Sequence, residues 1–293
     1  SYYFYKIMEE EQISKKGVEV YLYYLTLPIF FIFLIINTST NIYDISALDL
    51  NLMISIVSFL FGFLITISFS MLWGRVSALK SSLAIETGRL VSLFELSKHL
   101  GKKFNDKVRQ HIDNYTVNTL RDYTNYDVGR ESIYGIYEDL DEMELKTEPQ
   151  KQAASSFNYI LGEFEPLREQ LEYLTKGGLL WALKFANYAL AIILISLLFL
   201  NRGNPFNNWL FVILSTVVAF IILIIEDYEA LRIGDYTANI SNSEQLFDLI
   251  GERRYYPRRL LKRVKLEKGQ IYRIGVYDPS IKKERIVNMR YKK

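Results

Sequence analysis

Four apolar stretches, grouped two and two around a long polar segment, constrain the fold of this chain most. The second and third stretches contain 22 residues each, enough to cross ~30 Å of hydrocarbon as a helix rising 1.5 Å per residue. The first and fourth contain 17 each, near the lower limit. Buried core helices of a soluble protein are the alternative, but such folds rarely need two uninterrupted stretches of this length. The pattern predicts a mainly α membrane protein with four spans: Val20–Ile36, Leu52–Trp73, Leu179–Leu200 and Trp209–Ile225.

The distribution of basic residues predicts the orientation of these spans. The loop between the first two spans has no Lys or Arg and carries Asp44 and Asp49, whereas residues 74–178 hold fourteen basic residues and the chain after Ile225 holds sixteen. By the positive-inside rule, both termini and the central segment lie in the cytoplasm. We therefore expect a multi-pass protein of the plasma or inner cell membrane, with lipid as its surroundings and without a cleaved signal peptide.

Apolar residues recurring every three to five positions predict helices throughout the central segment. The first continues span two without a break to Leu100, where Gly101 suits the left-handed residue after a helix end. Three more are predicted over 104–123, 133–140 and 150–175, giving a cytoplasmic helical bundle continuous with spans two and three. The expected domains are an N-terminal segment 1–17, spans one and two 18–73, the helical domain 74–178, spans three and four 179–225, an acidic juxtamembrane segment 226–251 and a basic module 252–293.

The C-terminal region reads as a short helix over Asn242–Gly251 and a small β module. Three short strands are expected at Val264–Leu266, Gln270–Tyr277 and Glu284–Tyr291, separated by turn-forming residues. The module carries a net charge of +11 over residues 252–293. That charge suits anionic lipid headgroups or the acidic residues of 131–148, and an ordinary solvated surface is an equal alternative.

Catalytic motifs are scarce in this sequence. It contains no cysteine, and His99 and His111 are its two histidines. Phosphate-binding loops, nucleophile elbows and metalloprotease motifs are missing, so we expect neither an enzyme nor a nucleic-acid-binding protein, and no organic cofactor. Lys184 lies inside span three, where a charge is costly and marks a functional residue, unless it reaches the cytoplasmic interface by snorkelling.

Span two carries a resemblance to a known family. The run from Ser58 to Thr66, Ser-Phe-Leu-Phe-Gly-Phe-Leu-Ile-Thr, followed by Trp73-Gly74-Arg75, resembles the second transmembrane helix of bestrophins. The layout of residues 18–251 is similar to that of prokaryotic bestrophin-like membrane proteins. This resemblance implies a homopentameric ion channel whose central pore is lined by span two. It assigns Phe59 and Phe63 to a hydrophobic neck, while Ser55 replaces an apolar ring of the family.

The same four positions suggest a pore face without the family. Phe59 and Phe63 are four residues apart and therefore share one helix face, with Ser55 and Thr66 on nearly the same stripe. Two aromatic rings flanked by hydroxyls suit a water-filled pathway with a dewetting gate. Aromatic residues that face lipid or the protein core are the alternative.

Acidic residues give two further expectations. In animal bestrophins an acidic run after span four senses calcium, and the matching positions here hold Glu226, Asp227 and Glu229, a thinner set that makes Ca²⁺ a candidate ligand. Asp44 and Asp49, repeated around a ring, would attract cations at the outer mouth. The sequence thus predicts an oligomeric channel for inorganic ions, with a preference for cations. The alternative is a non-conducting scaffold or signalling protein whose cytoplasmic helices bind a partner.

Overall fold

A computed structural model of the protein describes residues 18–40, 50–121, 129–231, 235–258, 261, 264, 266–278 and 283–291. The described chain is mainly helical and ends in a small three-stranded sheet, as predicted. Its helices and strands are α1 (Val18–Ser39), α2 (Leu50–Leu100), α3 (Lys102–Arg121), α4 (Arg130–Asp141), α5 (Glu148–Gly162), α6 (Phe164–Lys176), α7 (Trp181–Leu200), α8 (Pro205–Glu229), α9 (Asp235–Ile250), β1 (Tyr255–Pro257), β2 (Ile271–Asp278) and β3 (Lys283–Arg290).

Among the described residues, three helical segments are long and apolar enough to cross a membrane. They are α2, the helical run Glu148–Leu200, whose apolar part is α7, and α8. In α1 the apolar helix found within the described residues is the shorter Leu25–Ser39. Large apolar side chains on these helices remain exposed, as lipid-facing positions must be. The chain is therefore membrane-embedded, and the four-span count stays a prediction.

The central segment begins as a direct continuation of span two, as the sequence predicted. α2 runs for 51 residues without a break. One stripe of this helix is buried along most of its length, at positions that include Phe61, Leu72, Leu83 and Leu93. The helix ends before Gly101, whose φ of +124° is unfavourable for any residue with a side chain.

The chain divides into two compact units. The first comprises the described residues of Ser1–Val76 and Gly178–Ile233, and its core lies among α1, α2, α7 and α8. There Phe33 of α1 meets Phe211 of α8 edge to face, with ring centroids 5.6 Å apart. The second comprises the described residues of Ser77–Gly177 and Gly234–Lys293. Its core joins the rest of α2 to helices α3–α6, α9 and the sheet.

The helix predicted over 150–175 is wrong as a single element. It is two helices, α5 and α6, separated at Glu163. The cause is Pro166, which lacks an N–H and whose ring would clash with the carbonyl of Gly162 four residues earlier. At this break the guanidinium of Arg89 on α2 donates to the carbonyl of Glu163, which ties the junction between α5 and α6 to α2.

The first predicted strand is also wrong, while the other two are confirmed to within one residue. β1 is Tyr255–Pro257, and neither Val264 nor Leu266, the described residues of the first predicted strand, lies in a strand. β1 pairs in parallel with β2, with Tyr256 opposite Ile274, and β2 pairs antiparallel with β3. Pro257 fits because β1 is an edge strand, where a missing N–H costs little. The Tyr255 and Tyr256 rings are buried, and their burial fixes this strand.

The sheet packs on helices through paired charges. Arg273 of β2 donates to both carboxylate oxygens of Asp113 on α3, at 2.6 and 2.5 Å, and its guanidinium lies 5.0 Å from the Phe247 ring on α9. Arg254 pairs with Asp248 at 2.7 Å. Some basic residues of the C-terminal region thus form ion pairs within the second unit, and their acidic partners lie outside residues 131–148.

Candidate functional site

The proposed pore face of α2 lies away from the packed interior of the first unit. Phe61 is buried, whereas Phe59 and Phe63 are 73% and 57% exposed. At 3.6 residues per turn, both phenylalanines lie about 160° around the helix from Phe61. Ser55 and Thr66 are exposed and fall with them within an arc of about 80°. The structure therefore brings the four candidate residues together on one uncovered, largely aromatic face.

The hydroxyl groups on this face are held by their own helix. Ser55 Oγ donates to the carbonyl of Asn51 at 2.8 Å, and Thr66 Oγ1 donates to that of Gly62 at 2.8 Å. Each hydroxyl oxygen keeps lone pairs directed away from the helix, so both can still accept a hydrogen bond. A Cβ added at Gly62 would meet no atom within 4 Å, so this part of the helix surface is open.

The acidic candidates of the outer loop, Asp44 and Asp49, lie outside the described residues. Between α7 and α8 the structure shows a buried basic residue that was not singled out from the sequence. Arg202, between α7 and α8, is buried and donates to the carbonyl of Asn37 at 3.3 Å and to Thr40 Oγ1 at 2.8 Å. Its guanidinium lies 3.9 Å from the centroid of the Phe199 ring. A single basic residue in an otherwise uncharged loop was the available signal for this role.

Lys184 is held by acids at the end of α8. Its Nζ lies 2.8 Å from Glu226 Oε1 and 2.7 Å from Glu229 Oε2. The Tyr188 hydroxyl donates to Glu226, and Arg75 Nη1 of α2 donates to the carbonyl of Glu229 at 2.9 Å. We call these five residues the charge cluster. It links α2, α7 and α8 and gives the intramembrane lysine two counter-ions.

The candidate calcium ligands fall partly within this cluster. Glu226 and Glu229 bind the Lys184 ammonium, and Asp227 between them is buried. Within the described ranges, no group of three or more His, Cys, Asp or Glu side chains is arranged to hold a metal ion. Calcium binding at these acids stays a prediction.

A buried polar contact also joins two of the apolar helices. Asn187 of α7 donates through Nδ2 to Ser68 Oγ of α2 at 2.6 Å, and both side chains are buried. Hydrogen bonds of this kind hold helices together where lipid offers no polar alternative. Asn187 was not singled out from the sequence, because its partner Ser68 is distant along the chain.

Both histidines were considered for a metal or acid–base role. His111 Nε2 lies 3.0 Å from Asp139 Oδ2, and Lys107 also contacts that carboxylate. Burial raises the pKa of Asp139, but the hydrogen bonds from Lys107 and His111 outweigh it and leave the pKa below its usual value. This arrangement is an ion-paired contact between α3 and α4. It is packed closely, since a Cβ at Gly135 would overlap the imidazole of His111.

No protein-family model, curated protein or solved structure matches this chain. The comparisons assign no family, and the resemblance to bestrophins rests on the residues of span two named above.

Proposed function

We propose that this protein is a cell-membrane ion channel in which a ring of subunits, five by the resemblance to bestrophins, encloses a pathway lined by α2. The observation that carries this proposal is the uncovered face of α2. Phe59 and Phe63 project from the side of the helix opposite its packed stripe. Four helices in one subunit leave no room for a pore, so symmetry mates are required to enclose one.

In this proposal α1 also crosses the membrane, as span one, and both termini lie in the cytoplasm. α1 is 22 residues long, and Phe30, Phe33 and Leu34 pack against the core of the first unit. Helix–helix packing of this kind suits a bundle in lipid, where small shifts in span length are accommodated by tilt. The basic residues within the central segment and after Ile225 support the orientation.

Cations are the proposed permeant ions, because Asp44 and Asp49 repeated around the ring would raise their local concentration at the outer mouth. At the neck, rings of Phe59 and Phe63 would impede ions by excluding water. The alternative of a non-conducting scaffold requires instead that this aromatic face meets lipid.

The test uses the full chain reconstituted in liposomes, with potassium flux as the readout. Replacing Phe59 and Phe63 by Ala should widen and wet the neck, so flux should increase severalfold. A matched control is the double variant Phe31→Ala and Phe206→Ala, which removes two exposed phenylalanines from α1 and α8. The control should leave the flux unchanged.

Assembly is measured separately by the detergent-corrected mass. A monomer or simple dimer would exclude the ring and favour the scaffold. A ring whose flux is the same with and without the two α2 phenylalanines would show that this face does not line the pathway.

A further inference from the structure

A carboxylic acid lies inside the second unit, apart from every residue considered above. Glu86 is 7% exposed and sits on the buried stripe of α2, between Leu83 and Leu90. The hydroxyl of Tyr115 on α3 donates a hydrogen bond to its Oε1. A buried carboxyl group is costly when ionised, so its protonation state is linked to the packing around it.

An arginine on a third helix faces the same tyrosine. Arg168 of α6 is 4% exposed, and its guanidinium carbon lies 5.4 Å from the centroid of the Tyr115 ring. Its Nε and Nη1 have no hydrogen-bond partner among the described residues. Arginine stays protonated in proteins, so this helix contact carries a buried positive charge with unsatisfied donors.

Burial dominates the titration of this acid. Burial raises the pKa of Glu86, the Tyr115 hydrogen bond and the Arg168 charge lower it, and the balance of the three is a pKa of about 7. Among the described residues, these are the titratable and charged groups that face it, one from α3 and one from α6. On α4, Arg130 pairs with Glu165 at 3.2 Å instead.

The surroundings of Tyr115 leave it little freedom to move. The Phe164 ring of α6 meets it edge to face, with centroids 5.4 Å apart. A Cβ at Gly129 would lie 2.6 Å from Tyr115 Cδ2, so the backbone before α4 presses against the ring. Because this contact is tightly packed, a charge that forms beside the Tyr115 hydroxyl can be hydrated only if helices separate.

We propose that Glu86 is a proton-binding site that stabilises the packing of α6 against α2 and α3 when protonated and weakens it when the proton leaves to water. An acid whose pKa is higher in the packed than in the solvated state stabilises packing fully below its solvated pKa. The stabilisation is lost as the pH rises from 4.5, the usual pKa of a glutamic acid, to about 7, the pKa of Glu86 in the packed state. The proposal does not depend on ion conduction.

Cysteine labelling tests this proposal in the assembled full chain, which contains no native cysteine. Leu171→Cys places a thiol at a fully buried position of α6, and Tyr173→Cys places one at an exposed position of the same helix. The maleimide reaction rate at the buried position is divided by the rate at the exposed position, and this ratio cancels the pH dependence of the thiol itself. We expect the ratio to increase about tenfold per pH unit above pH 5 and to level off near pH 7.

Three background variants assign the effect to this acid. Glu86→Gln mimics the protonated form and should give a low ratio that no longer varies with pH. Tyr115→Phe removes a hydrogen bond that favours the ionised form, so the plateau should move to higher pH. Glu169→Gln, an exposed acid of α6, should leave the profile unchanged.

A ratio that is independent of pH in the otherwise unmodified chain would overturn the proposal. The same conclusion follows if the profile survives in Glu86→Gln, because another group would then be responsible. Should Glu86→Gln fail to assemble, Tyr115→Phe decides the question: a plateau that does not move to higher pH shows that Glu86 is not the titrating group.

Discussion

Removing the Lys184 ammonium should destabilise the first unit mainly through the two carboxylates that it leaves behind. Glu226 and Glu229 both approach this ammonium within 3 Å, so Lys184→Met would leave two negative charges close together without their shared cation. Met keeps the length and the apolar stem of the side chain, which limits the loss of packing.

The expected loss of stability follows from the solvent exposure of the three side chains. Breaking a fully buried ion pair costs ~3–5 kcal/mol, whereas solvent-exposed pairs contribute ~0–1 kcal/mol. The three side chains are 31%, 38% and 20% exposed, between these limits. We therefore expect Lys184→Met to lower the free energy of unfolding by about 2 kcal/mol. Lys176→Met is the control, since Lys176 pairs with Glu172 at the surface, where an ion pair adds little to stability.

A combined variant distinguishes the loss of the ion pairs from the cost of leaving two carboxylates without a cation. Adding Glu226→Gln and Glu229→Gln to Lys184→Met removes both unpaired carboxylates, so most of the lost stability should return. The measurement is denaturant unfolding in mixed micelles at fixed ionic strength. If the three substitutions are simply additive, or if the triple variant is the least stable, the cluster does not act as a charge-compensated unit and the reasoning is refuted.

Two other perturbations test separate parts of the structure. Replacing both Asp44 and Asp49 with Asn should reduce cation flux at low salt and have a smaller effect at high salt, because the Debye length falls from ~10 Å at 0.1 M to ~3 Å at 1 M. A reversal potential that follows the chloride gradient in the unmodified protein would exclude cation selectivity. Gly275→Ala should destabilise the sheet by about 1–2 kcal/mol, since the new Cβ would displace the Glu284 carboxylate from its hydrogen bond with the Tyr255 hydroxyl. Gly269→Ala has open space around its Cβ but a φ of +87°, so it should cost only backbone strain, about 1 kcal/mol, and unfolding of both variants gives the comparison.

The sequence pattern predicted the long helix α2 and its C-terminal end, because both depend on residues close together in the sequence. An unbroken apolar stripe and a terminal glycine determine α2 and its stop at Leu100. The division between α5 and α6 was also readable, since Pro166 marks it four residues after Gly162, but the apolar stripe on both sides concealed the break. Here the steric clash of the Pro166 ring with the preceding turn outweighs the helical spacing of the apolar residues.

Contacts between distant segments could not be predicted from the sequence. The counter-ions of Lys184 lie more than forty residues along the chain, on a helix that the sequence describes only as apolar with an acidic end. β1 also depends on a distant segment. Its three residues show no alternation of apolar and polar side chains, and they form a strand because β2 offers an edge to pair with. Glu86 was hidden for a related reason. Nothing near it in sequence indicates that Tyr115 and Arg168 will cover it.

The exposed face of α2 locates the membrane boundary better than the helix itself does. The packed stripe continues along the helix from Phe61 to Leu100, so packing alone marks no boundary. Along this fully described helix, large exposed apolar side chains recur from Leu52 to Trp73, and beyond that point only Ile85 is of this kind. Arg75 follows within two residues, and Trp is the residue most suited to the interface. Since helical hydrogen bonding is satisfied in both solvents, the change of solvent that the proposed topology requires near Trp73 would be recorded by the outward side chains alone.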